Sequence, residues 1–161
     1  MSARGGHHGS MREAIDSFNV IGLPLRTSNR EAARTIPAHW EAAAAAGLVG
    51  GPATESRETH ETYAVYTDYE SPGDDADGVY TLVIGRRAQP GASVPDRLRT
   101  VTVPASTREV VAVTGARPEQ VAEAWAGIWA RKDLERDYRA DYECYGTDGG
   151  IRLSVGVRTT P

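Results

Sequence analysis

One carboxylate stands among tyrosines in the stretch Tyr138-Arg-Ala-Asp-Tyr-Glu-Cys-Tyr145. A glycine-rich turn at 146–150 and a run of alternating apolar residues at 151–157 follow, which predicts the two strands of a hairpin. Side chains alternate faces along a strand. Asp141, Glu143 and Tyr145 therefore share one face, and Tyr138, Tyr142 and Cys144 the other. An unpaired charge resists desolvation, so a glutamate kept among aromatic residues has a cost if its face is buried. Buried ionisable groups cluster at functional sites. The expectation is that Glu143 is buried and waits for a positively charged or hydrogen-bonding ligand.

Other reactive side chains form no constellation. His39 and His60 stand alone, far in sequence from any carboxylate motif, and no Ser-His-Asp or Cys-His arrangement favours acyl transfer. Cys144 points away from Glu143, so a thiolate nucleophile is not expected. His7 and His8 are adjacent with no third ligand nearby, and metal sites need three or four converging ligands. The acids Asp74, Asp75 and Asp77 suggest a calcium loop, but they lack its regular ligand positions and closing glutamate and read as a solvated turn. Neither a metal nor a cofactor is expected.

The elements that must position Glu143 are legible in order. Residues 1–14 read as a disordered leader, and a first strand covers 15–26, with Pro24 marking an edge or a bulge. Asn29 is a candidate cap for a helix that runs through Trp40 to Gly47, starting at Ile36 or kinking at Pro37. Strands at 61–69 and 79–87 flank the acidic turn. Beyond a Pro/Gly linker at 89–96, strands are expected at 100–104 and 109–115. Pro118 then opens a helix whose apolar stripe carries Trp125 and Trp129, four residues apart. Residues 131–136 read as a charged, solvated surface. Strand, helix and hairpin thus occur twice, at about 15–88 and 98–158. The predicted fold is α+β: two pseudo-symmetric βαββ repeats with antiparallel sheets and a central ligand groove, in a single domain over 15–158.

Four segments, Tyr63-Ala-Val-Tyr-Thr-Asp-Tyr-Glu70, Asp77-Gly-Val-Tyr-Thr-Leu-Val-Ile-Gly85, Val121-Ala-Glu-Ala-Trp-Ala-Gly-Ile-Trp129 and Asp141-Tyr-Glu-Cys-Tyr145, together resemble the GyrI-like, or AraC-type effector-binding, domains. The resemblance covers most of the chain and rests on the order and spacing of the four. It implies the same paired βαββ (SOUL-like) fold and a pocket in which aromatics surround a glutamate, as in multidrug-type transcription regulators that take lipophilic cations. Glu143 and Tyr145 match that family's strand. Trp40, Tyr66, Tyr80 and Trp125 match its pocket walls more loosely. Regulators of the type carry a helix-turn-helix domain before the pocket; only residues 1–14 precede it here, so a stand-alone pocket is expected, which puts direct transcriptional control in doubt.

The resemblance implies a binding module for cationic, aromatic, drug-like molecules. Its alternative is a GyrI-like hydrolase that opens cyclopropane-type electrophiles, with Glu143 as general base, its pKa raised by burial. A protein-interaction module is a third reading, suggested by the family's inhibitor of DNA gyrase, and no exposed hydrophobic stripe supports it.

Bulk properties agree. The 161 residues are 40% hydrophobic and 25% charged, ordinary for a globular domain. A net charge of -4 argues against a nucleic-acid partner, which needs clustered Lys and Arg, and favours attracting cations. No apolar run approaches the length that spans a bilayer and no secretory segment is present, so a cytoplasmic protein with no membrane partner is the expectation, with a homodimer open.

Overall fold

Two short links set the shape of the molecule. In the computed structural model, which describes residues 10–50, 60–70, 78–113 and 117–158, the strands are β1 (Ser10–Ile15), β2 (Phe18–Ser28), β3 (Thr62–Thr67), β4 (Val79–Ala88), β5 (Arg99–Val103), β6 (Ser106–Val113), β7 (Ala140–Tyr145) and β8 (Ile151–Val157). The helices are α1 (Ala32–Ala45) and α2 (Pro118–Ala130). All eight strands pair antiparallel in one sheet, in the order β1-β6-β8-β7-β3-β4-β2-β5. Residues 16–17 join β1 to β2, and residues 104–105 join β5 to β6, each across six places in that order. Six places of a flat sheet measure about 29 Å, whereas two linking residues reach only about 11 Å. The sheet must therefore curl. Its inner face holds one core cluster, in which the Phe18 ring of β2 lies 5.5 Å from both Tyr63 of β3 and Tyr142 of β7.

The two βαββ repeats are β2-α1-β3-β4 and β6-α2-β7-β8, joined along the β7–β3 seam. The strand that precedes each repeat pairs with the outer strand of the other: β1 with β6, β5 with β2. Both helices cover the outer face. Ala64 lies opposite Ile84 on one side and Glu143 on the other, and Glu143 lies opposite Leu153. Ala64 and Ile84 pack in the cluster beneath α1, and Leu153 in the cluster beneath α2. Apolar residues on that face, Ala43 and Ile36 of α1 and Ala124 and Ile128 of α2, account for the docking of the helices.

Several boundaries differ from expectation. Residues 10–14, read as leader, belong to β1. That strand is polar and exposed, and it is fixed by its ladder to β6 and by Glu109, whose carboxylate accepts from Ser10 Oγ, Arg12 Nε and Arg131 Nη1. The next strand runs over Phe18–Ser28, and Pro24 lies beyond the stretch paired with β5, where a missing N–H costs nothing. Helix α1 begins at Ala32 and carries Pro37 on its exposed side; Gly47, at φ 78°, ends it. Within 131–136, Lys132, Asp133 and Glu135 are exposed as expected, but Arg131 holds Glu109 and the Arg136 side chain, 9% exposed, pairs with Asp141. The residues His7, His8, Asp74, Asp75 and Asp77 lie outside the described residues. Among the described residues, no helix is long and apolar enough to cross a membrane.

Candidate functional site

The alternation of β7 holds in three dimensions: Asp141 and Glu143 face the helices, and Tyr142 and Cys144 pack in the inner core. Tyr138 departs from it. It precedes the strand with φ 55°, and its ring meets Tyr69, a partner of Asp141, so it sits on Asp141's side. Cys144 is buried with Arg152 donating to its sulfur, and burial pushes its thiol up.

Glu143 is 3% exposed and beside the seam between the repeats. Its Oε2 accepts from Trp125 Nε1 of α2 (2.7 Å) and from the Tyr66 hydroxyl of β3 (2.9 Å). Its Oε1 accepts from the Tyr145 hydroxyl of its own strand (2.5 Å). Trp40 of α1 stands edge-on to Tyr145 at 4.9 Å, and Tyr66 meets Tyr80 of β4 at 5.6 Å and Trp125 at 5.5 Å. All six residues singled out in the sequence are thus brought together. Trp40, Tyr66, Trp125 and Tyr145 are half-buried, so the cluster keeps an edge towards solvent.

Every donor to Glu143 is neutral. Among the described residues, no Lys, Arg or His lies within ion-pair distance of it. Burial pushes its carboxyl above the ordinary value of 4.5, against the pull of Tyr145, Trp125 and Tyr66 in the other direction. Burial, and then the neighbouring carboxylate, push Tyr66 and Tyr145 well up and Tyr80 to about 12, so these phenols keep their protons at neutral pH.

Sequence reasoning missed a second cluster beside the first. Asp141, 0% exposed, accepts from Arg136 Nη2 (2.6 Å), the Tyr69 hydroxyl (2.5 Å) and the Gly156 backbone N–H (2.9 Å). The signal for it was the shared face of Asp141 and Glu143; Arg136, five residues before Asp141, lies outside the strand, where the alternation does not place it. His39 donates to the Leu23 carbonyl and holds α1 to β2. Two open grooves lie elsewhere: one of about 570 Å3 beside Ser106 and Arg139, and one of about 380 Å3 on the inner face by Phe18 and Tyr142.

The profile of the Cass2 family, described as integron-associated effector binding protein, matches residues 13–156. Among solved structures, the integron cassette protein VCH_CASS2 from the mobile metagenome of Vibrio cholerae superposes with a TM-score of 0.75 at 22% identity, over 93% of this chain and 96% of that one. SAV2435 bound to tetraphenylphosphonium follows at 0.68 and 14%, over 93% and 94%. A putative transcription regulation protein from Staphylococcus aureus MU50 gives 0.65 and 13%, over 94% and 99%. At such identities the likeness of structure speaks for the fold alone, and the profile match for the family. Among curated protein sequences, none matches the chain.

Proposed function

The chain belongs to the Cass2 family of integron-associated effector binding proteins, and from that premise we propose that its effector is a lipophilic, aromatic organic cation held at Glu143. One observation carries the reading: a carboxylate 3% exposed that has three neutral donors and, among the described residues, no cationic partner. Hydrogen bonds lower the cost of burying the charge but leave the charge itself uncompensated. A ligand cation supplies the missing partner. The rings of Trp40, Tyr66, Tyr80, Trp125 and Tyr145 add attraction of about 0.5–2 kcal/mol each for a cation over their faces. Entry requires the Trp40–Tyr145 and Tyr66–Trp125 contacts to part, which fits their half-buried state. Tetraphenylphosphonium, the ligand of SAV2435, belongs to the chemical class proposed.

A hydrolytic role for Glu143 draws on the same burial, which raises its carboxyl as a general base requires, but the three donors already engage both of its oxygens.

Titration with tetraphenylphosphonium and with neutral triphenylphosphine oxide tests the proposal. Removing one side of a desolvated ion pair costs about 2–5 kcal/mol, so Glu143→Gln should lose more than tenfold in affinity for the cation and little for the neutral compound. Glu70 is exposed, and Glu70→Gln should change neither. Unaltered cation affinity in Glu143→Gln removes Glu143 from the site.

A further inference from the structure

We infer that Arg136 sets the charge of the ligand: by neutralising Asp141 it leaves the site one net negative charge, and so makes it a receptor for monocations rather than dications. The inference rests on the reading of Glu143 as the partner of a cation. Asp141 and Glu143 are two residues apart on one face of β7, about 7 Å along the strand. They share a neighbour, since Tyr66 lies directly opposite Asp141 in register and donates to Glu143. The aromatic surface is continuous between them, from Tyr66 to Tyr80 (5.6 Å) and from Tyr80 to Tyr69 (6.1 Å), whose hydroxyl reaches Asp141. A ligand with a second positive charge at that spacing would find its natural partner in Asp141, were that carboxylate free.

It is not free. Arg136, its side chain 9% exposed, donates to Asp141 at 2.6 Å and lies over the Tyr138 ring at 4.5 Å. Arg108, a second buried guanidinium, lies on the inner face outside the site, bonds Ser154 and Ser106 rather than a carboxylate, and shares its field between Asp141 and Asp137. The Arg136 arrangement is a costly one, because its buried Nε has no hydrogen-bond partner. A buried ion pair is often no more stable than apolar residues of its size, so stability alone does not account for it. Its consequence for the site is a charge count: Glu143 stays uncompensated and Asp141 is cancelled.

Ethidium and propidium share one aromatic cation, and propidium carries a further quaternary ammonium on a short arm. Fluorescence titration of both, at low salt, against the wild type, Glu143→Gln, Arg136→Met, Asp141→Asn and the Arg136→Met/Asp141→Asn double variant gives the test. In the wild type the second charge should bring no gain, with the two affinities within a few-fold. Arg136→Met should raise the propidium-to-ethidium affinity ratio at least tenfold, as a freed charge at about 7 Å provides. Asp141→Asn should weaken both dyes by leaving Arg136 unbalanced, and the double variant should return the ratio to its wild-type value. A purely structural role for the pair would not move that ratio and restore it. A wild type that prefers propidium by tenfold or more overturns the inference without any variant, as does a ratio indifferent to Arg136→Met. If Glu143→Gln weakens ethidium while the ratio ignores Arg136, only this inference falls. If the wild type binds neither dye, or Glu143→Gln binds both as before, the Glu143 reading falls and takes this one with it.

Discussion

Substituting Glu143 by glutamine and by leucine separates the charge of the carboxylate from its hydrogen bonds. Glutamine can satisfy all three partners in one orientation. Its amide oxygen takes the place of Oε2 and accepts from Tyr66 and from Trp125 Nε1, which can only donate. Its amide nitrogen then faces Tyr145, whose hydroxyl turns to accept. Leucine fills a similar space but leaves three donors stranded. An unsatisfied buried donor costs about 1–3 kcal/mol. Tyr66, Trp125 and Tyr145 are half-buried and recover part of that from water, so the leucine variant should be less stable than the glutamine variant by about 2–4 kcal/mol. Against the wild type at pH 7, glutamine should be neutral or stabilising, since it removes an uncompensated charge. The pH dependence has a definite sign. Because burial holds the folded carboxyl above 4.5, the native wild type binds more protons than the unfolded chain between that value and its raised pKa. The wild type should therefore gain stability relative to glutamine as the pH falls through that window. Urea unfolding at pH 7 and pH 5, followed by circular dichroism, reads both effects. A glutamine variant as unstable as the leucine one would show that the protein already compensates the charge, and the argument for a cation partner would be refuted.

Affinity for a permanently charged cation should decline as Glu143 takes up its proton, beginning above pH 4.5 because of the raised pKa, and Glu143→Gln should show no such decline in a titration series. Gly85 and Gly22 face each other where β2 and β4 pair, and a Cβ at Gly85 would meet the Ile21 carbonyl oxygen at 1.9 Å. Gly85→Ala should cost about 2 kcal/mol or more in thermal or chemical unfolding, whereas Gly127→Ala on the open side of α2 should be neutral or stabilising by about 0.5–1 kcal/mol.

Much of the fold could be read locally. Pro118 at the start of α2 and Gly47 at the end of α1 are punctuation that acts within a few residues. What was misread depended on specific partners rather than on local pattern. The stretch 10–14 is polar and exposed, and only its ladder to β6, nearly a hundred residues away, makes it a strand. The charged stretch 131–136 has the composition of a solvated loop, yet the Arg136 side chain is only 9% exposed because Asp141 is there to receive it. Composition reports the average fate of charges; a pairing decides the fate of one.

The same division runs through the site. A strand turns its side chains with period two whatever surrounds it, so the shared face of Asp141, Glu143 and Tyr145 was determined by the sequence alone. Which face the helices would cover, and which of the two carboxylates would receive a cation, could not be read there. Glu143 is bonded by Tyr66 from β3 and Trp125 from α2, and Asp141 by Tyr69 and Arg136. Those partners meet only because the two halves close along the β7–β3 seam with both helices on one face. Burial and electrostatic pairing are properties of that closure, and tertiary structure alone left one charge cancelled and the other open.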